Sequence, residues 1–420
     1  MLGIPNRQEV SLTPENTVSV QAEAVERQPR LRILDGLRLV AALMVVTWHF
    51  VAGQASSAWE ANTRELFPPL WKLAGYGWLG VELFFLISGF VICMSSWGRT
   101  PAQFAVSRIT RLFPAYWIAV LVTTAVVTLW PVVKQPQSTV DVLVNMTMLQ
   151  GLLGVPHVDW SYWSLAVELQ FYLLFALVVA RGVTYKRVVG FCLAWSLVSV
   201  VVTGFGNTHL TMVFAANYTP MFVAGVAFYL IHRFGSTLLL WGIVAVSWVL
   251  ALVRVKGELW WNGAGIRPTA VIVTGFFVLM AIIALRWLDR IDWRWLTTAG
   301  ALTYPLYLLH QYVGLTIIKK VHPYLPPWML LIGLVLALLM VSWLMYRLVE
   351  RPASRLLRRQ LQGSIERMRA PMSLPRQRRA PAQPVATAEQ TADRIEPALV
   401  SEAGEQHVAP LPDSHPIAAR

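Results

Sequence analysis

The sequence is poor in cysteine and in charge, and both shortages restrict what the protein can be. Its two cysteines, Cys93 and Cys192, lie at unrelated positions inside apolar runs, which argues against a disulfide framework or a cysteine-based metal site. We expect no metal and interpret both thiols as small packing residues. Charged residues make up only 14% of the 420 residues, whereas 56% are hydrophobic, a balance outside the soluble range. The composition therefore predicts a polytopic membrane protein.

A cleavable signal peptide and internal repeats are also missing from the sequence. Residues 1–30 are polar and lack the apolar core that a signal peptide carries. We expect them to form a cytoplasmic N-terminal arm, with the first apolar run acting as the insertion signal. The sequence also has no inverted pair of broken helices, the pattern that marks many secondary transporters.

Apolar runs of about 20 residues, the length that crosses roughly 30 Å of hydrocarbon, recur along the chain. They predict an all-α fold, a polytopic transmembrane helix bundle of about ten spans, in a membrane domain covering residues 31–353. Residues 354–420 are rich in Arg, Pro, Ala and Gln and are predicted to be a disordered, basic, Pro-rich cytoplasmic tail. The predicted spans are 33–53, 73–95, 113–133, 161–181, 188–205, 211–231, 236–253, 268–286, 296–317 and 328–348.

The net charge of +13 would suit a nucleic-acid partner, but membrane topology explains its distribution better. The predicted loops on the side of the two termini hold 19 Lys and Arg residues close to the spans, and the opposite loops hold eight. By the positive-inside rule, both termini are cytoplasmic. We therefore expect a multi-pass protein of the inner (cytoplasmic) membrane, surrounded by the lipid bilayer, without a nucleic-acid partner.

The first predicted span contains two ionisable residues, and such residues inside a span usually have a function. Arg38 and His49 are 11 residues apart, about three helical turns, so they share one face at roughly 16 Å along the axis. Asp35 precedes Arg38 by three residues and is placed to pair with it. The spacing suits a groove with a cation near the cytoplasm and an imidazole deeper in. It equally suits an arginine that snorkels to headgroups and a histidine that bonds another helix.

Glu168 lies in the fourth predicted span, within WSYWSLAVELQFYLL. Counting roughly 10 Å down from the outer side places it near the depth of His49. A carboxylate at that depth could orient the imidazole for general-base catalysis. The alternative is a structural contact without chemistry.

Two further segments carry polar groups next to aromatic residues. The second predicted span reads GVELFFLISGFVICM and contains Glu82 and Ser88. A nucleophilic role for Ser88 is disfavoured, because its flanking residues are not those of a nucleophile elbow and the Ser-Gly pair favours close helix packing. The ninth span contains GALTYPLYLLHQYVG, where Tyr304 and His310 lie on a polar, aromatic side. His310 either serves the acceptor or bonds across helices.

The linker after the second span, RTPAQFAVSRITRLFPAYW, places Arg108 and Arg111 three residues apart just before Pro114. This spacing predicts a short cytoplasmic helix with both guanidinium groups on one face. Two such groups can clamp phosphates. Contact with lipid headgroups, or a plain topological signal, is the alternative interpretation.

Taken together, these segments resemble the acyltransferase type 3 family of integral membrane acyltransferases. The resemblance implies an O-acyltransferase, transferring groups other than amino-acyl groups. In the family an acyl group, most often acetyl, moves from cytoplasmic acyl-CoA to a hydroxyl of a carbohydrate, often a cell-surface polysaccharide or its lipid-linked precursor. Acyl-CoA would be a donor substrate, with no bound cofactor. The matching segments, in family order, are LDGLRLVAALMVVTWH, GVELFFLISGFVI, RITRLFPAYW, SYWSLAVELQFYLL, GALTYPLYLLH and YRLVERP.

The resemblance also implies roles for individual residues. His49 would be the essential catalytic imidazole and Glu168 an active-site carboxylate. Some relatives append an extracytoplasmic hydrolase-like domain, and the short polar tail predicts the stand-alone form here. Two other readings stay open: a transporter or flippase for a lipid-linked saccharide, and an acyltransferase with a small-molecule or lipid acceptor. The expected donor-binding residues are Arg38, Arg108 and Arg111, and the supporting residues are Asp35, Glu82, Ser88, Tyr304 and His310.

Overall fold

The computed structural model describes residues 31–369, except residues 54 and 263–264. The described residues form helices joined by loops, without a strand, so the predicted all-α class is confirmed. Both cysteines are buried and unpaired, as expected of packing residues. The predicted N-terminal arm, residues 1–30, and residues 370–420 of the predicted tail lie outside the described residues.

Twelve helices of 11 residues or more make up the described part of the chain. Two π-helical turns, Trp48–Ala52 and Tyr346–Glu350, follow the first and the eleventh of these helices. Shorter helices lie at Ala55–Trp59, Thr63–Leu66, Pro68–Ala74, Thr139–Asn145 and Thr208–Val213. The twelve are α1 (Arg32–Thr47), α2 (Gly80–Ser96), α3 (Pro101–Leu129), α4 (Trp163–Ala180), α5 (Tyr185–Gly204), α6 (Thr219–Phe234), α7 (Leu238–Asn262), α8 (Ile266–Ala284), α9 (Arg294–Leu309), α10 (Gln311–Val321), α11 (Pro327–Met345) and α12 (Arg351–Arg369).

Eight segments of the described chain are helical, long enough and apolar enough to cross a membrane. They coincide with eight of the ten predicted spans. The other two coincide with α6, which has 16 residues, and with α9 and α10, which are interrupted at His310. Residues Met329, Ile332, Leu336 and Met340 of α11 are exposed at helical spacing, which suits a lipid-facing side. The protein is a multi-pass membrane protein.

Helices α2 and α6 pack against each other at the level of their backbones. A Cβ atom on Gly89 would lie 2.1 Å from the carbonyl oxygen of Phe222, and one on Gly225 would lie 2.0 Å from that of Leu86. Because only glycine lacks a Cβ, both positions require it. The close approach predicted from the Ser-Gly pair of the second span is thus confirmed, and it fixes the helix that carries Glu82 and Ser88.

Two predicted boundaries are wrong. The Arg-x-x-Arg pair does not lie on a separate short helix before Pro114, since α3 runs without a break from Pro101 to Leu129. Thr100 caps this helix by accepting a hydrogen bond from the Gln103 amide, and the helix absorbs Pro114 in its interior. The other boundary is the start of the predicted tail at residue 354, because α12 covers residues Arg351–Arg369.

Candidate active site

Two adjoining cavities lie among the helices. The larger has a volume of about 790 Å³ and is lined by His49; we call it the His49 cavity. The smaller has a volume of about 60 Å³ and is lined by Arg38; we call it the Arg38 cavity. Val81 and Tyr307 contribute to the walls of both. The structure thus places Arg38 and His49 in two neighbouring cavities rather than in one open groove.

His49 lies on the π-helical turn that follows α1. Its Nδ1 atom is 3.0 Å from the carbonyl oxygen of Val45 and 3.1 Å from Nε2 of His310. The second imidazole is anchored in turn, since Nδ1 of His310 is 2.7 Å from the carbonyl oxygen of Tyr307. Turns of the π type are frequent at functional sites. No sequence pattern predicts this turn, because its residues continue an apolar run.

These contacts determine where the protons of the two neutral imidazoles lie. A carbonyl oxygen can only accept, so His310 carries its proton on Nδ1 and offers Nε2 as an acceptor. His49 must then donate from Nδ1 to Nε2 of His310 and to the carbonyl of Val45. This assignment leaves Nε2 of His49 without a proton, on a ring that lines the larger cavity. In this arrangement Nε2 of His49 can accept a proton or a hydrogen bond.

The partner of His49 is His310 and not Glu168, so the predicted orienting bond between His49 and Glu168 is wrong. Glu168 lines the Arg38 cavity, where it accepts hydrogen bonds from Ser88 and, at 2.6 Å, from Tyr172. The sequence indicates how deep Glu168 lies along its own helix. It does not indicate which neighbouring helices that side chain faces. Of the two roles left open for His310, bonding across helices is the one that the structure shows.

The Arg38 cavity gathers charged groups from three helices. Arg38 is 9% exposed, and the ionisable groups around it are Arg111, Glu168, Tyr172 and Asp35. Arg111 and Ser88 line the same cavity. The hydroxyl of Ser88 donates a hydrogen bond to Glu168, so the structure shows Ser88 as a hydrogen-bond donor rather than as a nucleophile. A cavity that combines two guanidinium groups with one carboxylate suits an anionic ligand.

The two arginines of the Arg-x-x-Arg pair have different surroundings. Arg111 lines the Arg38 cavity, whereas Arg108 packs between the rings of Phe104 and Tyr172, at 5.6 and 5.7 Å. Arg108 also donates to the hydroxyl of Ser95 at 3.1 Å. Tyr172 in turn donates a hydrogen bond to Glu168. Arg108 therefore contacts a residue that positions Glu168, and it does not itself line the cavity.

Asp35 and Tyr304 hold the helices around the Arg38 cavity. Asp35 packs closely against Gly300. A Cβ atom on Gly300 would lie 2.6 Å from the carboxylate oxygen Oδ1 of Asp35. Tyr304 lines the cavity, and its hydroxyl donates to the carbonyl of Leu112 at 3.0 Å. Both contacts join α9 to another helix, α1 in the first case and α3 in the second.

Glu82 lies in the wall of the His49 cavity, in contact with a residue that the sequence did not single out. Arg254 donates to one carboxylate oxygen of Glu82 through Nη1 at 2.8 Å and Nη2 at 2.6 Å. The guanidinium also lies over the ring of Tyr218, 4.4 Å from its centroid. Arg254 directly follows the predicted span 236–253 and is one of the eight cations assigned to the opposite loops. The wall also contains Trp48, Trp71, Trp78, Trp160 and Trp163.

The family of the chain follows from its match to known sequences. Residues 31–347 match the model of the acyltransferase domain family. The chain belongs to the acyltransferase type 3 family. This match spans every element that lines the two cavities, from Arg38 on α1 to Tyr307 on α9.

Several relatives are similar to parts of this acyltransferase domain. The acyltransferase MdmB of Streptomyces mycarofaciens is 29% identical over 158 residues, or 36% of this chain and 40% of that protein. The peptidoglycan O-acetyltransferase OatA of Listeria monocytogenes is 24% identical over 34% of this chain and 23% of its own. The O-acetyltransferase OatA of Staphylococcus aureus is 30% identical over 35% and 24%. The chain thus matches under half the length of these relatives. No solved structure matches it.

The acyltransferase domain also has a buried carboxylate outside the predicted site. Asp159 accepts from the amide of Ser161 at 3.0 Å, its hydroxyl at 2.7 Å, and the amide of Tyr312 at 3.0 Å. Burial raises the pKa of Asp159 above its ordinary value, while these hydrogen bonds oppose the rise. The bond to Tyr312 fixes the first turn of α10, next to His310. Nearby, burial and Lys134 lower the pKa of His157 to about 4, so this imidazole is neutral near pH 7.

Proposed function

We propose that the chain is a membrane-embedded O-acyltransferase that moves an acyl group, most simply acetyl, from acyl-CoA to a hydroxyl of a carbohydrate. The carbohydrate would be a cell-surface polysaccharide or its lipid-linked precursor. The observation that carries the proposal is the hydrogen-bonded series of His49, His310 and the carbonyl of Tyr307, in which His49 lines a large cavity. Relatives named as O-acetyltransferases, one of them for peptidoglycan, support the reaction and the acceptor class.

His49 supplies the base that a hydroxyl acceptor needs. A hydroxyl is too weakly acidic to be deprotonated at neutral pH, so its proton must leave as the new bond forms. Nε2 of His49 takes that proton while the hydroxyl oxygen bonds to the thioester carbonyl carbon. The carbon–sulfur bond then breaks, and the proton passes to the sulfur of the leaving coenzyme A. His310 accepts the Nδ1 hydrogen of His49 throughout and steadies the imidazolium that forms.

The Arg38 cavity has the properties expected of the donor side. At about 60 Å³, it is too small for a sugar ring, which favours the donor rather than the acceptor on this side. Arg38 and Arg111 supply positive charge for the phosphate-bearing end of the donor. Glu168, held by Ser88 and Tyr172, keeps the two guanidinium groups from repelling each other.

The membrane orientation follows from the positive-inside rule. With both termini in the cytoplasm, the beginning of α1 and its Arg38 cavity face the compartment where acyl-CoA is made. The π-helical turn with His49 lies farther along the same segment. We assign the protein to the inner (cytoplasmic) membrane, with the acceptor entering from the opposite side.

The proposal is tested with purified protein in lipid nanodiscs, radiolabelled acetyl-CoA and fragments of cell-wall glycan. We expect label to appear on the glycan only when protein, donor and acceptor are all present. A flippase would move saccharide without needing acetyl-CoA. Absence of label on any carbohydrate acceptor, including a polysaccharide extract from the source cells, would overturn the proposal.

A further inference from the structure

The wall of the His49 cavity contains a buried ion pair. The side chain of Glu82 is 2% exposed and that of Arg254 is 14% exposed. Such pairs contribute little to stability, because removing two charges from water costs about as much as their attraction returns. A pair that lines a cavity is better explained by what the cavity binds. Glu258 and Lys72 also line it, so its two carboxylates are matched by two cations.

Three polar atoms in this wall have no hydrogen-bond partner among the described residues. They are Oε2 of Glu82, Nε of Arg254 and Nε1 of Trp78. A buried polar atom without a hydrogen bond lowers the stability of the fold by roughly 1–3 kcal/mol. Such atoms are few in folded proteins, so three of them in one cavity wall need an explanation. Two of these atoms donate and one accepts. A hydroxyl group does both, so a ligand with several hydroxyls satisfies all three after small side-chain movements.

Aromatic rings complete the wall. The side chains of Trp48, Trp71 and Trp163 line the same cavity. Indole rings offer broad, flat and largely apolar surfaces. A sugar ring has apolar C–H faces and a rim of hydroxyls, so it fits indole faces together with scattered polar atoms. The volume of about 790 Å³ is within the ~300–1,000 Å³ that is typical of ligand sites.

We propose that the His49 cavity is the acceptor site, and that it binds an uncharged sugar ring through Glu82, Arg254, Trp78 and the tryptophan faces. The balance of charge in the wall disfavours a strongly anionic acceptor. His49 lines the same cavity, so a hydroxyl of the bound ring meets the base there. This inference rests on the proposed function, since it names the recognition surface for the acceptor of that reaction.

The test measures sugar binding without any donor. Full-length protein in lipid nanodiscs is titrated calorimetrically with three uncharged probes: N,N′,N″-triacetylchitotriose, maltotriose and cellotriose. We expect at least one of them to bind, and both Trp78→Phe and Glu82→Gln to weaken its binding at least tenfold. The matched control is Trp97→Phe. Its indole nitrogen is also buried, but Trp97 lies under Arg233 at 4.3 Å and outside the cavity wall. That variant should bind as the wild type does.

Four results would overturn the inference. The first is failure of all three probes to bind, and the second is binding of glycerol 3-phosphate in their place, which would make the cavity an anion site. The third is equal weakening by Trp97→Phe. The fourth is loss of acyl-CoA binding, measured separately, in Trp78→Phe, which would assign the cavity to the donor. The conservative Trp78 variant keeps the test valid if Glu82→Gln does not fold.

The proposed function is judged apart from this test. Acetyl transfer by the wild type in the same nanodiscs is measured with a cell-wall glycan extract. Sugar binding without any transfer would refute the reaction and keep the site. Transfer without any probe binding would keep the reaction and refute the site.

Discussion

The two cavities share Val81 and Tyr307, yet they differ in size and in how their polar groups are satisfied. In the Arg38 cavity, of about 60 Å³, Glu168 is already held by Ser88 and Tyr172. In the His49 cavity, of about 790 Å³, Glu82 and Trp78 each retain a buried polar atom without a partner. The carboxylate of the first cavity thus has its hydrogen-bond partners before a ligand arrives, whereas the carboxylate of the second keeps an unpaired oxygen that a ligand can reach after small side-chain movements. A single helix, α1 with its π-helical turn, contributes the key side chain of each.

Replacing His49 should have the largest effect, because it removes the only base assigned to the reaction. We expect His49→Ala to lower kcat for acyl transfer by about 10²–10⁴-fold, while insertion and folding stay normal. Turnover of purified variants in nanodiscs measures this effect. The matched control is His209→Ala, since His209 is exposed and lies away from both cavities. A His49→Ala protein with wild-type turnover would leave the larger cavity without a catalytic role.

His310 comes next, because it acts on the reaction through His49. Loss of its acceptor nitrogen should lower kcat by roughly 10–100-fold in His310→Ala, with little change in KM for either substrate. Asparagine at this position offers an amide oxygen as acceptor, so His310→Asn should recover part of the loss. A purely structural residue would show no such recovery. If His310→Ala raised the KM of the acceptor instead, His310 would be a binding residue.

Arg111 and Arg108 distinguish facing the Arg38 cavity from supporting it. A charge-assisted hydrogen bond contributes about 1.5–3 kcal/mol, so we expect Arg111→Gln to raise the donor KM by about tenfold or more. Arg108→Gln should act less on donor KM, because Arg108 contacts Tyr172 and Ser95 rather than the cavity. The control is Arg290→Gln, on an exposed loop residue. Equal rises in donor KM for both variants would show that the pair clamps the donor together.

The smallest effect concerns the wall that the cavities share. Val81→Phe narrows the passage where donor and acceptor would meet. It should reduce acetyl transfer only a few-fold but butyryl transfer more, because the longer chain fills more of the narrow cavity. The ratio of kcat/KM for acetyl-CoA to that for butyryl-CoA measures this selectivity. A ratio unchanged by Val81→Phe would place the acyl group away from the shared wall.

What could be predicted from the sequence was mainly what lies within one helix. The spacing of Arg38 and His49 indicates their approximate separation along the first span, since most of the residues between them are α-helical. Partners across the bundle were not predictable in this way. His310 is 261 positions from His49, and Arg254 is 172 positions from Glu82. No local sequence pattern indicates which helices are neighbours. Arg254 is therefore assigned to a loop by hydropathy, although it pairs with Glu82.

Interruptions of helices were missed for a different reason. Hydropathy measures how apolar a segment is, and it contains no information on the hydrogen-bond register of the backbone. The π-helical turn at Trp48–Ala52 and the break at His310 both lie inside apolar runs that were drawn as single spans. For the same reason hydropathy places the Arg-x-x-Arg pair on a helix separate from the span that follows it, although both belong to α3.

The break between α9 and α10 also bears on how the site can move. Pro305 has no amide hydrogen to donate, and α9 ends at Leu309, just before His310. Two interruptions within about one and a half turns reduce the number of backbone bonds that must open together. Segments with few such bonds open at low free energy, long before the whole domain unfolds. An opening here would carry His310 away from His49 and leave the base without its partner. The short segment that assembles the imidazole pair is thus also a place where the backbone of the helix has fewer bonds to lose.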